Sequence, residues 1–115
     1  AYKMARISPN CIDVVELHDA FTILEILAYE DLGFADKGKG GKFVDERRMD
    51  INPRGGIIGC GHPVGATGVA QTSEIVAQLS NEATGRQVKQ CKNGLILNLA
   101  AAGTSATVII LGTEA

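Results

Sequence analysis

Residues Gly55 to Gly68 read GGIIGCGHPVGATG and hold six glycines, one proline and one of the chain's two histidines. Glycine at this density allows tight turns and close approach by a ligand or another backbone. Pro63 fixes the backbone after His62, and a helical pattern starts within a few residues. The histidine therefore sits at or just before a helix N-terminus. The dipole there favours neutral imidazole, the form that accepts a proton. His62 can be read as a catalytic base, a metal ligand, part of a phosphate loop or a structural turn residue. The string matches neither standard nucleotide-binding fingerprint. Cys60 and His62 form a C-x-H pair, but Cys11, Cys91 and His18 are not at zinc-site spacings, so no metal is expected. A base and a turn residue remain.

Downstream, ATGVAQTSEIVAQLSNEATG (Ala66 to Gly85) reads as a helix with apolar Val69, Ile75, Val76 and Leu79. Its first two turns are nearly all small residues, which suits a helix packed closely on several sides. Upstream, the β-branched run Ile12 to Leu17 reads as a buried strand. Phe21, Leu24, Leu27 and Ala28 follow at helical spacing, with Gly33 where a C-cap belongs. His18 and Asp19 fall between that strand and helix, a common place for functional groups in α/β folds. The competing reading has Asp19 capping the helix and His18 as a surface residue.

YKMARI near the N-terminus reads as the end of a helix, and Ser8-Pro9-Asn10 as a turn. Residues 34–50 are rich in glycine and charge. They read as an exposed excursion that touches the body through Phe43 and Val44. Leu95 to Leu99 and Thr104 to Leu111 read as two strands joined by the tract Ala100 to Gly103. Strands this apolar are normally covered on both faces. Asn98, polar inside the first of them, either bonds a neighbouring loop or faces a site.

The order β-α-loop-α-β-β predicts an α/β fold. About three strands need two covered faces, and about two helices are available to cover them. Part of the core is therefore expected from elsewhere. The chain has 115 residues and a formal charge of −2, a balance that predicts no nucleic-acid or anionic-membrane partner. No apolar run approaches the ~18 residues of a membrane span. Three widely spaced cysteines suggest no disulfide framework and a reducing compartment, taken as the cytoplasm. The chain begins with Ala1, which hints at a piece of something longer.

Three separated motifs, HDAF (His18 to Phe21), NPRGGIIGCGHPVGATG (Asn52 to Gly68) and NLAAAGTSATVIIL (Asn98 to Leu111), occur in the order seen in thiolases. The chain most resembles thiolases of the archaeal and sterol-carrier-protein type, which carry H-D-x-F where others have N-E-x-F. The resemblance spans nearly the whole chain. It implies an incomplete C-terminal half of the thiolase fold, a mixed sheet with a buried small-residue helix, over residues 1–115. It also implies acyl transfer between coenzyme A thioesters, with no bound cofactor. On this resemblance His62 is the base that makes a cysteine thiolate, and His18 helps hold the thioester oxygen as charge develops. Asn52, Gly55, Gly56 and Gly61 shape the loop that carries His62, Asn98 supports the site, and Phe21 packs against substrate.

The departures from the family are also specific. The second, proton-moving cysteine is absent from both positions where the family puts it, which hold Ala20 and Asn98. Cys60 is not at either position. The nucleophilic cysteine belongs to the N-terminal half, which has no equivalent here. The chain is therefore expected to need a missing N-terminal thiolase part, to be inactive alone, and to form a homodimer or homotetramer when complete. The alternatives are a non-catalytic lipid-handling or scaffold relative, and a related enzyme that condenses or cleaves carbon–carbon bonds on coenzyme A thioesters.

Overall fold

A computed structural model describes residues 1–46, 49–100 and 103–113. Its elements are α1 (Tyr2–Ala5), a 3-10 turn (Pro9–Cys11), β1 (Val14–Glu16), α2 (Thr22–Asp31), α3 (Gly40–Glu46), β2 (Asp50–Ile51), α4 (Gly56–Cys60), α5 (Thr67–Leu79), β3 (Asn93–Ala100) and β4 (Ser105–Gly112). The strands form one mixed sheet in the order β2-β1-β3-β4. β1 is parallel to both neighbours, and β3 and β4 pair antiparallel from Asn93↔Gly112 to Ala100↔Ser105.

Side-chain alternation along β1 divides the interior in two. Val15 and Leu17 join Leu95 and Leu97 on one face, beneath Ala28, Tyr29 and Leu32 of the α2 region and Phe43 of α3. Val14 and Ile96 point to the other face and meet Ile75 of α5, with Val88 and Cys91 beside them. Glu16 follows the same alternation, so its carboxylate is delivered beneath α5, fully buried. The sheet is thus covered by α2 and α3 on one side and by α5 on the other.

Local bonds set the remaining geometry. The Tyr2 hydroxyl donates to the Leu32 carbonyl at 2.9 Å and closes the end of α2. Asp13 Oδ2 accepts from the Lys92 and Asn93 amides, each at 2.9 Å, which sets the start of β3 beside β1.

The expected strands and the two long helices are present, with ends shifted by one to six residues. Three short elements were not anticipated. α3 lies within the stretch read as an excursion, and there Phe43 is buried but Val44 is exposed, so only Phe43 makes the expected contact. β2 is two residues long, and α4 lies inside the glycine-rich loop. Part of the Ala100 to Gly103 tract, Ala101 and Ala102, lies outside the described residues.

The long helix departs most from expectation. The side that α5 buries is Thr67, Gln71, Glu74, Ile75 and Gln78, mostly polar. Val69 and Val76, part of a helix read as packed closely on several sides, are 68% and 48% exposed. The helix is covered on one side only.

Candidate functional site

The loop carrying His62 is pinned to the end of β1 from three directions. The Leu17 amide donates to Asn52 Oδ1 at 2.6 Å, and Asn52 holds a positive φ of 48° to present it. The Ile57 amide donates to Asp19 Oδ1 at 2.7 Å. Arg54 Nε lies 3.9 Å from Glu16 Oε2, an electrostatic contact longer than a hydrogen bond. Asp19 thus serves the start of α4, while α2 begins at Thr22, after Phe21, with no side-chain cap. The competing reading, with Asp19 capping α2, differs from the structure because the partner of Asp19 lies 38 residues ahead.

Two glycines permit this junction. Gly55 and Gly56 hold φ of 113° and 62°, and a Cβ on Gly56 would strike the Asp19 carboxylate. Gly61 ends α4 at φ 82° and sends the chain into His62.

His62 Nδ1 lies 2.8 Å from Thr67 Oγ1, at the first residue of α5. That contact fixes the imidazole from behind, and Thr67 had not been singled out from the sequence. Its signal is the spacing, a hydroxyl five residues on, at the helix start.

His18 reaches the same place from the end of β1. The two imidazoles meet edge to face, with ring centroids 5.0 Å apart and planes at 88°. His18 is only 8% exposed, and among the described residues neither of its nitrogens has a hydrogen bond. Burial first, and His62 second, hold its imidazole below the ordinary histidine range, against the opposing pull of Asp19.

Asn98 completes the wall from β3. Gln71 Nε2 donates to the Leu97 carbonyl at 3.3 Å, and a carbonyl can only accept. Gln71 Oε1 therefore faces Asn98 and accepts its Nδ2 proton at 2.9 Å. The orientation of the Asn98 amide follows from that one unambiguous carbonyl. His18, His62, Phe21 and Asn98 line one cavity of about 610 Å3, with Ala20 and Leu99. Asn52 and Gly61 stand behind it in the supporting loop. Among the described residues, no group of three or more His, Cys, Asp or Glu side chains converges as metal ligands would.

A family model of the thiolase C-terminal domain-like type matches residues 1–113. The chain belongs to this thiolase C-terminal family. Among its relatives, the acetyl-CoA acetyltransferase of Methanothermobacter thermautotrophicus is 47% identical over 116 residues, covering 96% of this chain and 30% of that protein. Sterol carrier protein 2 of Oryctolagus cuniculus is 44% identical over 114 residues, covering 94% of this chain and 21% of that protein. The chain thus spans less than a third of the length of these relatives. A solved structure titled Ltp2-ChsH2(DUF35) aldolase superposes with a TM-score of 0.85 at 24% identity, over 96% of this chain and 29% of that one, and shows the shared fold. No helix among the described residues is long and apolar enough to cross a membrane.

Proposed function

We propose that this chain is the C-terminal catalytic part of a thiolase, which moves an acyl group between coenzyme A thioesters. His62 serves as the base that makes the nucleophilic thiolate, and His18 donates to the thioester oxygen where negative charge develops. The reading rests on the edge-to-face pair of imidazoles in one cavity with Phe21 and Asn98. The nucleophilic cysteine is placed in an N-terminal part upstream of this chain.

The open side of α5 supports that last assignment. Val64, Val69, Val76 and Ile109 line a second cavity of about 680 Å3 between α5 and the sheet. Exposed aliphatic side chains in this number mark a surface meant to be covered. The N-terminal part is the proposed cover. The complete protein is read as a homodimer or homotetramer in a reducing, cytoplasmic setting, which suits three free cysteines.

The test uses the full-length protein with acetoacetyl-CoA and coenzyme A. His62→Gln is expected to lower kcat by roughly 10²–10⁴-fold with little change in KM. Wild-type turnover by that variant would remove the base assignment. The 115-residue chain by itself is expected to give no turnover, and turnover there would place the nucleophile within it.

A second reading, a non-catalytic lipid-handling relative, is favoured by Ala20 and Asn98 and by the similarity to sterol carrier protein 2. Full-length protein that binds lipid yet forms no acyl-enzyme would establish it.

A further inference from the structure

The reaction proposed above needs two proton movements. One makes the cysteine thiolate. The other removes a proton from the carbon beside the second thioester, so that this carbon can attack. Among the described residues that line the cavity, the imidazoles of His62 and His18 are the two side chains able to act as a base. Ala20 cannot carry a proton. Asn98 is a neutral amide with one Nδ2 proton already committed to Gln71. The Cys60 thiol donates to the Arg54 carbonyl at 3.1 Å and does not line the cavity.

The two imidazoles are held differently. His62 is exposed, and its Nδ1 is engaged by Thr67. His18 is buried, free of hydrogen bonds at both nitrogens among the described residues, and set perpendicular to the His62 ring at a centroid distance of 5.0 Å. Its shift favours the neutral ring, which has a lone pair to offer.

Resting on the thiolase reading, we propose that His18 is the second proton carrier, the base that takes the α-proton of the bound acetyl thioester. The Cα–H bond breaks and its proton goes to an imidazole nitrogen of His18. The electron pair of that bond forms the carbon–carbon double bond of the enolate, and the carbonyl pair moves onto oxygen. The α-carbon then attacks the acyl carbonyl on the upstream cysteine. A carbon–carbon bond forms, the carbon–sulfur bond breaks, and the thiolate leaves. The proton on His18 returns to that thiolate by way of His62, so charge and protons balance over the cycle.

An asparagine at position 18 separates this role from that of an oxyanion donor. An amide can donate to an oxygen but cannot take a proton near neutral pH. The experiment follows two partial reactions of the full-length protein. Acyl-enzyme formation from acetyl-CoA is read by intact-protein mass. Exchange of the acetyl methyl hydrogens in deuterium oxide is read by proton NMR. His18→Asn is expected to cut α-exchange by at least about 100-fold while acyl-enzyme formation stays within about tenfold. Adding Ala20→Cys to that variant is expected to restore exchange, because a thiolate then stands beside the same carbon.

Exchange at the wild-type rate in His18→Asn would overturn the proposal. So would an equal loss of acylation and exchange, or a double variant that recovers neither. If the wild-type protein forms no acyl-enzyme at all, the thiolase reading falls and takes this one with it. That outcome is distinct from the loss of exchange alone.

Discussion

The two sides of α5 differ in a way that the usual rule of apolar inside and polar outside would invert. The buried side carries Thr67, Gln71, Glu74 and Gln78, and the open flank above the β4 edge of the sheet carries Val69 and Val76. The buried side is stable because its polar atoms are matched. Arg86 clasps Glu74 with contacts of 2.6 to 3.0 Å. Gln78 donates to Glu74 Oε1 and the Arg86 carbonyl, and accepts from the Val88 amide at 2.8 Å. Burial raises the Glu74 carboxyl, and the bonds from Arg86 and Gln78 outweigh it, holding the group below the ordinary range. The open side has no such network and exposes aliphatic carbon instead. A helix with a wired buried face and exposed valines on its open flank is suited to receive a further packing partner, as the proposed N-terminal part would be.

The largest expected effect comes from cutting the wired side. Glu74→Ala removes the acceptor shared by Arg86 and Gln78, and leaves Gln78 Nε2 with the Arg86 carbonyl alone. Arg86 is exposed while Glu74 is buried, so the loss comes from the buried hydrogen bonds of Glu74 rather than from the ion pair itself. Urea unfolding of the full-length protein should show that loss, and Val76→Ala should come nowhere near it. A Glu74→Ala loss under about 1 kcal/mol would show that the network is solvated and the contrast between the two sides overstated.

Next is Glu16, which enters the same polar layer from β1. Burial is the main cause that pushes its carboxyl up to about 7, and Glu74 adds to it, with Asp19 contributing least. The Arg54 guanidinium opposes them first, from 3.9 Å, and the Arg54 backbone amide opposes them more weakly. A carboxyl raised in this way binds its proton more tightly in the folded than in the unfolded state. That stabilisation is complete below the ordinary value of 4.5 and is lost as pH rises through about 7. The linkage amounts to about 3 kcal/mol between the two ends of the window. Glu16→Gln should flatten the stability profile from pH 4.5 to 8 and make the variant the more stable protein at pH 8. Parallel profiles for the two proteins would mean that Glu16 is ionised throughout.

Much of the fold was legible because local rules governed it. The β-branched run ending at Val15 and the helical spacing of Leu24 and Ala28 produced β1 and α2 where expected. α4 was not legible. Five residues with two glycines carry no helical signal of their own, and the element is held by Asp19 from a distance. The histidines stood out by their motifs, but the edge-to-face contact between His18 and His62 depends on how β1 and the loop pack. Val69 and Val76 misled for a different reason. Hydrophobicity in a sequence does not say what covers it, and this chain spans less than a third of the length of these relatives.

That last point yields the smallest effect and the most direct test of the open side. Val76→Ala removes two methyl groups from a site that is 48% exposed in this chain. If the site stays exposed in the complete protein, the cost should be within about 0.5 kcal/mol. If an N-terminal part packs over α5, the same substitution opens a cavity and should cost about 1–2 kcal/mol. Urea unfolding of the full-length protein distinguishes the two, with Val69→Ala as a second probe on the same face. The expectation is the larger value at both positions, and near-zero costs at both would remove the proposed cover.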